Sequence, residues 1–127
     1  MTTSTDDGRF SYQGLDRVLH EKARLGILSS LVAHKDGLKF GELRALCQLT
    51  DGNLSRHLDT LREAGLIEIW KGFEGRRPQT IVRMTTDGRK RFVAYLEELE
   101  RVIKDALPKA SSASGRAKPL PPGYQPA

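Results

Sequence analysis

Cysteine is nearly absent from this chain, since Cys47 is the only one among 127 residues. A single cysteine can form no internal disulfide and no zinc site by itself, which favours a reduced, cytoplasmic protein. Long apolar runs are also missing, and none approaches the roughly 20 residues needed to cross a bilayer. The N-terminus is polar and acidic and does not resemble a signal peptide. We therefore expect no membrane association.

Recognisable catalytic motifs are missing as well. The sequence has no phosphate-binding glycine loop with its lysine, no nucleophile elbow and no HExxH, and its three histidines lie at no motif spacing. We therefore expect that the protein is not an enzyme, and that it has no catalytic residues, no cofactor and no metal site. Cys47 follows Leu43 by four residues on an apolar stripe, which predicts a small core residue, with a redox sensor as the alternative.

Positive charge is concentrated in one part of the chain. Of the total net charge of +5, residues 71–91 carry seven basic against two acidic side chains, whereas residues 51–70 and 92–107 are each at −2. A localised basic surface is typical of phosphate binding. A solvated basic hairpin is the alternative.

Apolar side chains at helical spacing predict three helices before residue 48. Gly37 ends the second of them soon after His34. The three stripes are Leu15, Val18 and Leu19; Leu25, Leu28, Leu31 and Val32; and Phe40, Leu43, Leu46 and Cys47.

A fourth helix is predicted from Asp51 to Ala64. Thr50 suits its N-cap, and Leu54, Leu58 and Leu61 form a buried stripe. The short turn from residue 48 to residue 50 joins it to the third helix, as in a helix-turn-helix. Its outward face includes the residues Gly52, Arg56, Asp59 and Glu63, flanked by Asn53, Ser55, Thr60 and Arg62.

A β-hairpin should follow immediately, because β-rich runs at residues 67–70 and 79–84 flank the stretch GFEGRRPQT. A helix-turn-helix followed by a hairpin is the layout of a winged helix. Gly72 and Gly75 let the tip turn, and Pro78 stiffens the return strand. Arg76 and Arg77 are then expected to meet phosphate or a narrow minor groove. Trp70, in the first strand of the hairpin, is expected to pack within the protein.

The last predicted helix begins with Thr85 or Thr86 as its cap and ends near Leu107. Its apolar residues follow a 4-3-4-3 spacing, which indicates a short heptad seam and a second subunit as partner. For Phe92, packing on its own domain is the alternative. The seam residues are Phe92, Leu96, Leu99, Ile103 and Ala106.

These elements predict a mainly α, α+β fold: a winged helix-turn-helix with a long C-terminal dimerisation helix. We expect a disordered tail over residues 1–12, the folded domain over residues 13–107, and a disordered Ser/Ala/Pro-rich tail over residues 108–127.

The chain also resembles a known family over residues 15–107. The stretches LTDGNLSRHLDTLREAGLI, KGFEGRRPQT and TTDGRKRF are similar to those of short winged-helix transcriptional regulators related to the ArsR and MarR families. The resemblance implies a dimeric DNA-binding regulator with its recognition helix at residues 51–64. Many ArsR relatives sense metals through a Cys-x-Cys pair in the third helix, or through histidine and carboxylate pairs in the last helix. This chain has only Cys47 in the third helix and no histidine in the last.

We therefore predict a sequence-specific regulator, acting as a repressor, that binds double-stranded DNA as a homodimer; a protein-binding winged helix is the alternative.

No polar cluster marks an effector site. Asp59 is expected to accept from cytosine or to orient Arg56, and His57 to contact phosphate or to hydrogen-bond locally. The predicted DNA-binding residues are Thr50, Gly52, Asn53, Ser55, Arg56, His57, Thr60, Lys71, Arg76 and Arg77. The predicted dimerisation residues are Leu15, Val18, Leu19, Phe92, Leu96, Leu99, Val102 and Ile103.

Overall fold

Four helices and a small antiparallel sheet alternate along the chain in the order of a winged helix. A computed structural model describes residues 8–111 and 117–127. Its elements are α1 (Lys22–Val32), β1 (Leu38–Lys39), α2 (Phe40–Cys47), α3 (Asp51–Glu63), β2 (Ile67–Glu74), β3 (Arg77–Met84) and α4 (Thr86–Ala110). The predicted fold class is therefore confirmed.

The turn between α2 and α3 forms as the sequence predicts. Gln48 ends α2 in the left-handed conformation, with φ of 52°. The hydroxyl of Thr50 accepts a hydrogen bond from the amide of Asn53 at 3.2 Å and thereby caps α3. This tight connection fixes the angle between the two helices and presents the outer face of α3 to solvent.

One hydrophobic core holds the helices against the sheet. The predicted stripe Leu54, Leu58 and Leu61 is buried in it, since each side chain is at most 2% exposed. α4 closes the core with Phe92 and Tyr95. The remaining buried apolar members are Leu19, Ile27, Leu28, Leu31, Leu38, Leu43, Leu66, Ile67 and Val82.

The sheet has the strand order β1-β3-β2, and β2 and β3 form the hairpin called the wing below. Its pairing runs from Ile67 opposite Met84 to Glu74 opposite Arg77. The strands are therefore longer than the β-rich runs in the sequence. Only Gly75 and Arg76 form the turn, and Gly75 takes a φ of +64°, as the first position of a two-residue hairpin turn requires. Gly72 lies within β2 instead of shaping the tip.

The predicted helix over Leu15, Val18 and Leu19 is wrong. Residues 12–20, called the N-terminal strap below, form turns that lie along α4. The Asp16 carboxylate accepts from the Val18 amide at 2.9 Å and pairs with Arg91 at 2.6 Å. Such a side-chain bond to the local backbone competes with helix formation.

Tyr12 is in contact with α4, and α4 itself ends later than the sequence predicts. Within the predicted N-terminal tail, the Tyr12 hydroxyl donates to Asp105 of α4 at 3.0 Å, while residues 1–7 lie outside the described part. α4 continues to Ala110, beyond the predicted end at Leu107, although Pro108 lacks the amide of a helical bond. The Ser111 amide and hydroxyl both donate to the Leu107 carbonyl and close this last turn. Residues 112–116 lie outside the described part, and residues 117–127 contain neither helix nor strand.

α4 is long, but none of the helices in the described ranges 8–111 and 117–127 combines the length and apolar character needed to cross a membrane.

Gly88 allows α4 to approach the sheet closely, and Gly88→Ala is expected to destabilise the protein. A Cβ at this position would lie 2.0 Å from the Leu66 carbonyl oxygen. That clash outweighs the usual helix preference for alanine, so we expect a net loss of about 1–3 kcal/mol in unfolding free energy. Urea unfolding measures it. Gly52→Ala is the matched control, because a Cβ on Gly52 meets nothing within 4 Å; equal stability of the two variants would contradict the prediction.

Candidate nucleic-acid interface

The first half of α3 presents polar side chains to solvent. Asn53, Ser55 and Arg56 are exposed beside Gly52, and Thr50 is exposed at the N-cap. Thr60 is half-buried, and its hydroxyl donates to the Arg56 carbonyl oxygen at 3.2 Å. Asparagine and arginine at such positions can reach base edges in a major groove, where they favour adenine and guanine.

Two of the three acidic residues of α3 are paired with arginines, but neither is paired with Arg56. Asp59 accepts from Arg62 at 3.2 Å, and Asp51 pairs with Arg44 of α2 at 2.5 Å. The prediction that Asp59 orients Arg56 is therefore not supported by the structure. Within the described residues, the Arg56 guanidinium has no carboxylate partner.

His57 points into the protein and does not present its ring to solvent. Its side chain is buried, with 6% exposure for the residue. Arg24 Nε lies 3.4 Å from the ring Nδ1, and a Glu21 carboxylate oxygen lies 3.6 Å from it. Burial lowers the pKa of His57, although the charge of Glu21 opposes that shift. Of the two predicted roles, the local hydrogen bond is the one this geometry supports, and the phosphate contact is not.

The wing carries the basic residues that the sequence places there. Lys71, Arg76 and Arg77 are all exposed. Glu74 beside them accepts from Lys39 of β1 at 2.9 Å and from Gln79 at 2.8 Å. These two hydrogen bonds, with the Lys39 charge, lower the pKa of Glu74. The Glu74 charge is thus compensated by Lys39, and the two arginines at the tip keep their positive potential.

α3 and the wing face each other across a shallow cavity of about 190 Å³. Lys71 and Thr80 of the wing line one side of it, and Ser55 and Asp59 of α3 line the other. The core-facing surface of the hairpin therefore continues towards the outer face of α3. The helix and the wing form adjoining parts of one polar surface.

Trp70 lies on the opposite face of the wing. The indole is 57% exposed and sits directly across the strands from Ile81. The prediction that Trp70 packs in the protein is therefore wrong for most of its surface. Strand alternation explains it: Ile67 and Ile69 face the core, so Trp70 faces away from it.

The predicted dimerisation residues separate into three groups. Leu19 and Phe92 are buried in the protomer's own core, so neither side chain is free to meet a partner. Leu96 and Ile103 are 42% and 55% exposed on α4. The half-buried group consists of Leu15, Val18, Leu99 and Val102.

Two further apolar side chains of α4, absent from the predicted seam, lie beside Leu96 and Ile103. Val93 is 44% exposed and Leu107 is 57% exposed. At 100° per residue, these four residues fall on one side of the helix. They are called the α4 stripe below: Val93, Leu96, Ile103 and Leu107.

Cys47 is half-buried between α1 and α2. Its sulfur lies 3.8 Å from the Ser30 hydroxyl and 3.6 Å from where a Cβ on Gly26 would be. Gly26 thus lies where α1 passes close to α2. Within residues 8–111 and 117–127, no three His, Cys, Asp or Glu side chains come together as a metal site.

Known proteins share this architecture. Residues 23–103 match the family described as winged helix DNA-binding domain. An uncharacterized protein of Methanocaldococcus jannaschii is 33% identical over 89 residues, which cover 70% of this chain and 96% of the relative. A transcriptional regulator homologue from Pyrococcus horikoshii aligns with a TM-score of 0.69 and 27% identity, covering 78% of this chain and 96% of that one.

The same fold occurs in an Enterococcus faecalis protein described as a MarR-family transcriptional regulator, with a TM-score of 0.63 and 22% identity over 87% of this chain and 96% of that one. The sequence resembles both ArsR and MarR regulators. Of these two resemblances, the one to MarR is supported by the structures that share this fold. The chain belongs to the family of winged helix DNA-binding domains, and it shares its fold with transcriptional regulators of the MarR family.

Proposed function

We propose that the protein is a sequence-specific transcriptional regulator that binds double-stranded DNA in the cytoplasm. One observation carries the proposal: the outer face of α3 and the tip of the wing expose arginines without carboxylate partners in the described residues. Arg56 lies on the helix, and Arg76 and Arg77 lie at the tip. In this arrangement α3 enters the major groove while the tip reaches the backbone or the minor groove.

Within this proposal, the residues that contact DNA form two groups. Asn53 and Arg56 read base edges, with Gly52 and Ser55 allowing close approach of the helix. Thr50, Thr60, Lys71, Arg76 and Arg77 supply contacts to the backbone or the minor groove. His57 makes no direct contact with DNA in this proposal. Its buried ring instead joins α3 to Arg24, beside the N-terminal strap, and so supports the position of the helix.

The proposal includes a homodimer formed through the α4 stripe. An exposed row of four large apolar side chains is costly in water, and a second copy of the same row would cover it. A twofold dimer would place two α3 helices on one face of the DNA, about 34–36 Å apart. A dimer bound over a promoter excludes polymerase, which is the basis for proposing repression.

A gel shift tests the function directly. At low salt we expect a random-sequence duplex to shift, with the affinity falling as salt rises, because phosphate contacts release counterions. Selection from a random duplex library should then recover a site with twofold symmetry. Absence of any shift at low salt would favour the protein-binding alternative, for which the exposed Trp70 and Ile81 offer an apolar surface.

A further inference from the structure

Phe73 exposes more of its surface than any other large apolar residue in the described part of the chain, at 76%. It lies in β2, two positions before the turn formed by Gly75 and Arg76. The DNA contacts proposed above leave its role open. A phenyl ring held in water next to a hairpin tip loses the stabilisation that burial would give.

The register fixes the side of the wing on which the ring lies. Phe73 pairs directly with Pro78, and alternation along β2 places it on the same face as Ile69 and Lys71. That face continues into the cavity bordered by α3. Trp70 lies on the opposite face. The phenyl ring therefore belongs to the surface that includes the outer side of α3.

The surroundings of Phe73 fit a nucleic acid better than a protein surface. Lys71 lies two residues before it on the same face, and Arg76 and Arg77 follow it in the turn and at the start of β3. The carboxylate of Glu74 is compensated by Lys39. An apolar ring among uncompensated cations complements the DNA minor groove, because phosphates line its walls and the apolar faces of the bases become accessible where a base step opens.

We propose that Phe73, backed by Pro78, is an apolar wedge that enters the minor groove and partly unstacks one base step at each outer end of the bound site. Arg76 and Arg77 hold the tip to the groove, and Pro78 stiffens the strand behind the ring. Flexible pyrimidine–purine steps unstack most easily, so the wedge adds a preference for such steps without hydrogen bonds to bases. This inference rests on the proposed function.

The test uses a fluorescent base and the full chain. The duplex is the one recovered from a random library by the unmutated protein, with 2-aminopurine placed in turn at each step outside the recognition sequence. Unstacking raises the fluorescence of this base, so we expect a several-fold rise at one step on each side. Phe73→Ala should abolish that rise and weaken binding about tenfold, while the salt dependence stays the same because no charge is lost.

Trp70→Ala is the matched control, since it removes an exposed aromatic from the other face of the same strand. We expect it to keep the fluorescence rise, and both variants should keep the melting curve of the unmutated protein because both side chains are largely exposed. An equal rise with Phe73→Ala and the unmutated protein would overturn the wedge while leaving DNA binding intact. If the unmutated protein bound no duplex, the proposed function would fail and the wedge with it.

Discussion

Replacing Leu96 and Ile103 together by glutamate is expected to give a folded monomer that binds its DNA site far more weakly. Both side chains belong to the α4 stripe and are 42% and 55% exposed, so the protomer should tolerate the change. In a dimer, four new carboxylates would be buried against each other without partners. Loss of the second half-site contact should reduce affinity by about 10²–10⁴-fold. Sedimentation equilibrium at tens of micromolar and a gel shift measure the two effects.

Leu96 is a better choice than Leu99 for this experiment. Leu99 is half-buried and packs against the core, so a glutamate there would damage the protomer. Ser29→Glu with Ala94→Glu is the control, because it adds the same charge at exposed positions off the stripe. It should leave the protein dimeric. A monomeric unmutated protein in the same concentration range would contradict the proposed interface.

Local sequence patterns predicted the helix-turn-helix well because its signals are local. The Leu54, Leu58 and Leu61 stripe and the Thr50 cap each depend on residues within a few positions of one another. Gly75 likewise marks its turn through its own backbone conformation. Helical period, capping and glycine stereochemistry determine such features, and each of these depends only on residues within one short segment of the chain.

The N-terminal strap could not be predicted from local patterns, because distant residues hold it in place. The Gly14 amide donates to Glu98 at 2.9 Å, and Asp16 pairs with Arg91. His20 Nδ1 and the Tyr95 hydroxyl are 2.5 Å apart. All three partners belong to α4, more than 70 residues further along the chain. The apolar spacing around Leu15 resembles a helix, but these contacts select turns instead.

The helical period predicts which candidate site residues are exposed when they lie opposite the apolar stripe of α3. It predicts exposure less well for residues at the edge of that stripe. Arg56 lies opposite the leucines of α3 and is exposed as expected. His57 lies about 60° from that stripe, a direction compatible with either solvent or core. Its burial depends on Arg24 and Glu21, which α3 alone does not specify. The roles of these residues in DNA binding stay predictions.

Replacing Arg76 and Arg77 together by alanine is expected to weaken binding to every duplex and to reduce its salt dependence. Both residues lie at the tip of the wing, where Gly75 and Arg76 make the turn, and we expect the tip to contact phosphate or the minor groove. In a dimer, up to four phosphate contacts are lost. The slope of log K against log salt should become shallower by roughly 0.9 per lost contact, about 3 to 4 units at most.

Arg56→Ala is the matched variant, because it removes the same kind of side chain from α3. An arginine that pairs with guanine contributes about 1–3 kcal/mol of discrimination against other bases. Its loss should relax the sequence preference at one position of each half-site and leave binding to random duplex nearly unchanged. Salt titrations of both variants on the selected duplex and on a random duplex separate the two roles. An unchanged slope for the wing variant, or equal weakening of both duplexes by Arg56→Ala, would show that helix and wing do not divide specificity and affinity in this way.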